Sequence, residues 1–254
     1  MPSSAKGSNR EGTHFPLMHR YLFNPFTFVM LLVLVGVFLL AVPLLFLSLI
    51  GSTFAKLGFK GWQVLLILGV TLVGSFVNIP LTTIHGHPIV IETRYDHFFG
   101  TFYRIPVTTP TTTIAINVGG AAIPLLISAY LLFQSVALTG STFVLSFSLL
   151  GVLIVAAVTK MASRPVRGLG IMTPFFIPPL AALVCGLAFS AAAGSPEMGA
   201  PIIAYASGTL GTILGADLLN LHRIRELGAP LVSIGGAGTF DGVFLSGLIA
   251  AFLA

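Results

Sequence analysis

The chain has 254 residues, of which 56% are hydrophobic and only 7% are charged, and its mean hydropathy is +1.02. Soluble domains carry about 25% charged residues, so this composition excludes an ordinary soluble domain and predicts an integral membrane protein. The net charge of +5 does not indicate a nucleic-acid partner, because no basic cluster is interleaved with aromatic residues.

The chain begins with a polar segment, residues 1–24, whose composition predicts a disordered cytoplasmic tail. Residues 25–254 are predicted to form a single transmembrane domain. Its first apolar run, at about 25–50, is too long for a signal-peptide core and has no small-residue cleavage site after it, so we expect an uncleaved helix. Six more runs are close to the roughly 20 residues of a spanning helix, at about 62–84, 113–134, 139–159, 171–193, 201–221 and 230–254. The predicted fold class is all-α, a polytopic bundle of about seven helices.

The basic residues predict the orientation of this bundle. With a cytoplasmic N-terminus, external segments hold only Lys56 and Lys60, and ten of the 12 basic residues fall on the cytoplasmic side. Those ten are Lys6, Arg10, Arg20, Arg94, Arg104, Lys160, Arg164, Arg167, Arg223 and Arg225. The sequence therefore predicts a multi-pass protein of the cell membrane with its N-terminus in the cytoplasm, and the lipid bilayer as its partner.

The longest predicted cytoplasmic loop, 85–112, contains residue types that bind metals: His85, His87, Glu92, Asp96 and His97. Their spacing matches no zinc pattern, so we predict neither a metal site nor a cofactor. The runs 88–91 and 98–105 alternate enough to indicate a short hairpin on the membrane face.

Glycine and proline interrupt several predicted helices. The run 117–120 precedes Pro124 within the third helix, the run 235–238 opens the seventh, and Pro174, Pro178 and Pro179 crowd the start of the fifth. Interrupted helices often build binding sites, whereas prolines at a helix entry are common in membranes. We predict a substrate-binding role for Gly235, Gly236, Gly238, Thr239 and Asn117. The amides of Asn78 and Asn117 also need partners inside apolar runs, and we expect them to bond to exposed backbone.

Two acidic residues lie inside apolar segments, Asp217 in the sixth predicted helix and Asp241 in the seventh. A carboxylate in hydrocarbon is costly, so each is a functional-site hypothesis. Consecutive antiparallel helices with a short connection are usually neighbours. We therefore predict Asp217 and Asp241 as catalytic residues whose carboxyl groups lie within about 8 Å, close enough to interact directly or through one water.

Two chemistries fit such a pair. Two close carboxylates share a proton, one acting as a base on water and the other as an acid toward a carbonyl, which is peptide hydrolysis. Buried carboxylates also relay protons or cations in transporters. Structural roles stay open: Asp217 can be solvated or paired with Arg223 or Arg225, and Asp241 can cap the backbone that the glycine run releases.

A third possibility is a non-catalytic accessory protein. Gly208, Gly211 and Gly215 lie on the sixth predicted helix at spacings that allow another helix to approach closely. That helix can come from this chain, from a partner protein or from a second copy in a homo-oligomer.

Three motifs carry a resemblance to a known family: Asn117 to Pro124 (NVGGAAIP), Gly215 to Asn220 (GADLLN) and Ser233 to Gly242 (SIGGAGTFDG). Together they resemble an uncharacterised family of bacterial and archaeal membrane proteins, domain of unknown function 1614. The resemblance covers about residues 25–254 and implies no activity.

A weaker resemblance is to the presenilin-like intramembrane aspartyl proteases, which carry one aspartate on one helix and a Gly-x-Gly-Asp aspartate on the next. Here Asp217 corresponds to the first, and Asp241, after Gly236-Ala-Gly238, to the second. The resemblance implies cleavage of a transmembrane peptide. The sequence thus favours an intramembrane aspartyl hydrolase, with a proton- or ion-coupled transporter and an accessory protein as alternatives.

Overall fold

The computed structural model describes residues 25–85, 111–166, 170–192, 196–226, 231–236 and 242–254. This part contains seven α-helices, as the sequence predicts: α1 (Pro25–Lys56), α2 (Gly61–Gly74), α3 (Ile123–Thr139), α4 (Phe143–Ala162), α5 (Ile177–Ala192), α6 (Pro196–Thr212) and α7 (Gly242–Leu253). Four stretches are long and apolar enough to cross a membrane: Phe26–Lys56, Val118–Thr139, Phe143–Ala162 and Gly199–Arg223. The chain therefore has the helices of a membrane protein. The predicted tail, 1–24, lies outside the described residues.

The chain divides into two compact units, Met1–Leu45 and Phe46–Ala254. The described part of the first unit is the N-terminal portion of α1, whose large apolar side chains are exposed. Such a surface is suited to lipid rather than to water. The second unit holds the end of α1 and every other element.

The all-α prediction was incomplete, because five strands accompany the helices within the described residues: β1 (Asn78–His85), β2 (Thr111–Asn117), β3 (Arg164–Val166), β4 (Gly170–Met172) and β5 (Leu231–Ile234). The first two and the last form one sheet in the order β1-β2-β5. The pair β1 and β2 is antiparallel, and β2 is parallel to β5. The remaining strands, β3 and β4, form a separate antiparallel pair.

The sheet changes the bounds of three predicted helices. The run 62–84 is helical only to Gly74 and becomes β1, whereas 113–134 and 230–254 both begin as strands. These stretches are apolar enough to resemble helices, but β1 and β2 are rich in threonine and isoleucine, whose branched side chains favour strands. The hairpin predicted at 88–91 and 98–105 lies outside the described residues, and β1 and β2 pair on either side of it.

Helix α6 lies at the centre of the second unit. The apolar window of Gly199–Arg223 is 67% buried, the highest share among the four candidate spans. Glycines allow this burial: a Cβ atom on Gly208 would lie 3.0 Å from the backbone of Gly247 on α7, and one on Gly211 would lie 2.6 Å from Val155 Cβ on α4. The glycine face of the accessory hypothesis is therefore covered by helices of the same chain.

Candidate functional site

Two helices of the second unit contain a π-helical turn. The first turn, Val118–Ala122, joins β2 to α3, and the second, Ile213–Asp217, continues α6 before a 3-10 segment, Leu218–Glu226. Such turns hold one residue more than an α-helical turn and are frequent at functional sites. The first turn confirms that the run 117–120 interrupts the third helix.

Each π-helical turn is stabilised by an asparagine side chain. Asn117 accepts a hydrogen bond from Gly120 N through Oδ1 at 2.7 Å. Asn220 donates from Nδ2 to Gly215 O and Ala216 O, at 3.0 Å each. These bonds satisfy backbone groups that the irregular turns release, which a membrane interior requires.

Asp217 ends the second π-helical turn, and its carboxylate is held by the backbone. Gly235 N donates a hydrogen bond to Asp217 Oδ2 at 2.8 Å. Gly235 directly follows β5, and it and Gly236 have φ angles of +87° and +77°. Side chains make these angles unfavourable, so glycine is required for this turn.

The same glycine contacts the first π-helical turn. A Cβ atom on Gly235 would lie 2.6 Å from Ala121 Cβ, and a Cβ atom on Gly120 would overlap the Gly235 carbonyl oxygen. The two π-helical turns therefore meet at Gly235, one through a backbone contact and the other through the Asp217 carboxylate.

A buried amide continues this site into the sheet. Asn117 is 0% exposed, and its Nδ2 donates to Ser75 O at 2.8 Å and to Asn78 Oδ1 at 3.1 Å. Asn78 Oδ1 also accepts from Ser233 Oγ on β5 at 2.6 Å. The expectation that Asn117 bonds to backbone is confirmed.

The structure gathers part of the predicted site. Asp217 and Gly235 are in direct contact, Gly236 is adjacent in the chain, and Asn117 connects to Gly235 through Gly120. The other predicted residues, Gly238, Thr239 and Asp241, lie outside the described residues. The distance between the carboxyl groups of Asp217 and Asp241 stays a prediction.

The sequence reasoning missed Ser75, Ser233 and Asn220 as members of this network. Asn220 and Ser233 carried a signal, because Asn220 closes the motif that begins at Gly215 and Ser233 opens the motif that ends at Gly242. Ser75 contributes a main-chain carbonyl, and Ser233 reaches Asn78 across 155 residues of sequence. Contacts of these kinds follow from strand register, which local patterns do not reveal.

The charge of Asp217 has no cationic partner among the described side chains, which include Arg223 but not Arg225. Within the described residues, no group of three His, Cys, Asp or Glu side chains could hold a metal ion. The described chemistry is thus one carboxylate, a backbone amide at a glycine turn and two buried asparagines.

A family model described as "Protein of unknown function (DUF1614)" matches residues 72–253. The chain belongs to this family. The matched residues include both π-helical turns, the three-stranded sheet and Asp217, whereas α1 precedes them. No curated protein and no solved structure matches the chain. The resemblance to presenilin-like proteases has no support from these comparisons, and the family's description states no activity.

Proposed function

We propose that this protein carries protons across the membrane and that Asp217 is the residue that binds and releases them. One observation carries the proposal: the Asp217 carboxylate accepts a hydrogen bond at 2.8 Å from Gly235, on the turn that leads to α7. A proton on Asp217 therefore acts directly on the backbone between two helices.

The two protonation states of Asp217 differ in how strongly they hold this turn. A hydrogen bond to an ionised carboxylate is roughly twice as strong as one between neutral groups. Protonation of Asp217 weakens its bond to the amide of Gly235, and the loss of a proton restores it. A difference in contacts between two states is what allows a bound proton to shift a conformational equilibrium.

The surroundings of Asp217 support movement of the backbone at this point. Broken helices form the ion and substrate sites of many transporters. Here Val118–Ala122 and Ile213–Asp217 both depart from α-helical geometry and both contact Gly235. A turn of two glycines at positive φ has few side-chain barriers to rearrangement.

Paired-acid hydrolysis, which the sequence favours, depends on a second carboxylate within reach of Asp217. Its candidate, Asp241, lies outside the described residues. Asp217 Oδ2 accepts a hydrogen bond from the amide of Gly235. Transport is the better supported function because it requires only the contact that the structure describes.

Proton flux into liposomes tests the proposal. The purified chain is reconstituted with pyranine inside, and a potassium diffusion potential is imposed with valinomycin. The intact protein should acidify the lumen faster than protein-free liposomes, and Asp217→Asn should reduce this rate to that of protein-free liposomes. The control is Glu197→Gln, the same chemical change at the first turn of α6, which should retain the flux.

Two results would overturn proton transport. One is a wild-type flux no greater than that of protein-free liposomes, and the other is an unchanged flux in Asp217→Asn. The same liposomes, loaded with a transmembrane peptide, are analysed by mass spectrometry for cleavage. Cleavage that depends on Asp217 would replace transport with hydrolysis.

A further inference from the structure

We propose that the groove between α1 and α2 binds one acyl chain of an anionic phospholipid, whose headgroup lies beside Lys60. The groove has a volume of about 180 Å³, and its walls come from the end of α1, the turn after it and α2. Every residue that lines it precedes residue 72, where the family match begins. The lipid site is independent of the proposed function of Asp217.

The walls of the groove are apolar, and several of them are small. On α1 they are Leu47, Gly51 and Ala55, which are four residues apart and therefore lie on one side of the helix. On α2 they include Gly61 and Leu68. A groove without a polar side chain in its walls is suited to hydrocarbon rather than to a polar ligand.

Glycine keeps the groove open. A Cβ atom on Gly51 would have no other part of the described chain within 4 Å, whereas one on Gly208 would lie 3.0 Å from the backbone of Gly247. Glycine inside a helix is less favourable than alanine, and at Gly208 close packing against α7 compensates for this cost. At Gly51 the compensating contact would come from an occupant of the groove.

The length of the groove matches one leaflet of a bilayer. Eight residues separate Leu47 from Ala55, which is about 12 Å at 1.5 Å per residue. Because the hydrocarbon core is about 30 Å thick, one leaflet contributes about 15 Å. An acyl chain that enters beside Ala55 would therefore contact the protein along most of its leaflet.

The volume of the groove distinguishes a lipid chain from a partner helix. A helix about 10 Å across occupies roughly 900 Å³ over the same 12 Å, which is far more than the approximately 180 Å³ of the groove. A single hydrocarbon chain is the narrower of the two occupants that a membrane offers, and it is the one that fits between these walls.

Trp62 and Lys56 indicate that the mouth of the groove lies at the membrane surface. Trp62 is 64% exposed and directly follows Gly61, and tryptophan is enriched at the level of the lipid headgroups. Lys56, next to Ala55, donates from Nζ to Phe252 O at 2.6 Å, near the end of α7. The ends of α1 and α7 therefore meet at the same level as the start of α2.

The mouth of the groove has a charge that is complementary to an anionic headgroup. Residues 25–85 contain two basic residues, Lys56 and Lys60, and no acidic residue. Lys56 is engaged with the carbonyl oxygen and the ring of Phe252. Lys60 is exposed and adjoins Phe59 and Gly61, which both line the groove. A lysine at this level attracts anionic lipids.

The first turn of α2 adds a second attraction for a phosphate group. The leading amides of a helix have no partner within it, and its N-terminus favours an anion. The amide of Lys60 donates to Gln63 Oε1 at 2.8 Å, and the amides of Gly61 and Trp62 come next. A phosphodiester beside Lys60 would be near its ammonium group and these amides, whereas the cation of a choline headgroup has no acidic residue in 25–85 to pair with.

The fluorescence of Trp62 tests the lipid site, because it is the only tryptophan in the chain. The protein is reconstituted in phosphatidylcholine with a small, equal fraction of either phosphatidylglycerol or phosphatidylcholine that carries bromine on its acyl chains, which quenches tryptophan on contact. We expect stronger quenching by the brominated phosphatidylglycerol. Lys60→Gln should lower this preference about fivefold, and Gly51→Leu, which fills the groove, should abolish it.

The matched controls make the same changes elsewhere. Gly36→Leu lies on α1 in open space and outside the groove, and Lys160→Gln removes an exposed lysine from the last turn of α4. Both should keep the wild-type preference.

Three results would overturn the lipid site. The first is equal quenching of the wild type by the two brominated lipids. The second is a preference that is unchanged in Gly51→Leu or Lys60→Gln, or that is lost equally in the two control variants. The third is a disulfide between two copies of Ala55→Cys after oxidation, because the groove would then hold a second copy of the chain.

Discussion

The carboxylate of Asp217 and the backbone amide of Gly235 are joined by a 2.8 Å hydrogen bond across 18 residues of sequence. The bond connects the irregular end of α6 to the turn before α7. It also brings the charged group next to the first π-helical turn, which Gly235 contacts. The stability of this junction should therefore depend on the acceptor at position 217.

Asp217→Ala should destabilise the protein by about 1.5–3 kcal/mol, the contribution of a hydrogen bond to a charged group. Asp217→Asn should cost less, because its carbonyl oxygen can still accept from Gly235. The measurement is the midpoint of unfolding in detergent micelles. Equal losses for the two variants would show that this bond does not stabilise the junction.

Gly235→Ala should be strongly destabilising for two separate reasons. The left-handed backbone costs a side chain about 1–2 kcal/mol, and the contact with Ala121 adds an overpacking cost of about 1–3 kcal/mol. Gly58→Ala is the control, because Gly58 has a φ of +88° and open space around it. The unfolding midpoint of Gly235→Ala in micelles should be well below that of Gly58→Ala. A similar midpoint for both variants would contradict the packing of Gly235 on the first π-helical turn.

Gly120→Ala should separate the two segments that meet at Gly235. Its Cβ atom would overlap the Gly235 carbonyl oxygen, so we expect a loss of about 1–3 kcal/mol from overpacking. Gly69→Ala on α2 has open space and should gain about 0.5–1 kcal/mol, as alanine does in a helix interior. The unfolding midpoint should therefore fall for Gly120→Ala and rise for Gly69→Ala. A higher midpoint for Gly120→Ala would contradict the contact between Gly120 and the Gly235 carbonyl oxygen.

The two asparagines of the sheet should respond differently to the same change. Asn117→Asp removes the Nδ2 donor to Ser75 O and buries a charge, which should cost about 3–5 kcal/mol. Asn78 serves as an acceptor to Asn117 and Ser233, so Asn78→Asp should cost less than about 1 kcal/mol. The expression level and the unfolding midpoint are measured for both variants. Equal stability of Asn117→Asp and Asn78→Asp would exclude the amide network.

Tags at the N-terminus and in residues 222–229 should be cytoplasmic, and a tag after Ala254 should be external. The reason is the bias of ten basic residues toward the cytoplasmic side of the seven spans that the sequence predicts. Labelling of the tags by an impermeant reagent in intact cells measures on which side of the membrane each tag lies. A C-terminal tag on the same side as residues 222–229 would exclude an odd number of spans.

The helices could be predicted from the sequence because each lies within a long apolar run. The sheet could not, since the segments around Asn78 and Thr113 continue apolar runs, and their branched side chains favour strands without showing which segments pair. Pairing between Thr113 and Leu231 joins parts of the chain that share no local pattern.

The candidate site divides in the same way. Asp217 was identifiable because a charge in an apolar run has few explanations, and Gly235 because a glycine run interrupts a helix. Their mutual bond was not identifiable, because the donor is a main-chain amide and the acceptor is positioned by a π-helical turn. Local sequence therefore indicated the residues but not the geometry.

The parallel pairing of β2 with β5 has a consequence for biogenesis. These strands are neighbours in the sheet, but helices α3 to α6 are synthesised between them. During translation β2 has a vacant edge until all four helices have been inserted, and such an edge is open to incorrect pairing. Asp217 meets Gly235 only when β5 has arrived, so a chain truncated before β5 would enter the bilayer with its site unassembled. Chains truncated before residue 231 should then be degraded faster in cells than the full-length chain.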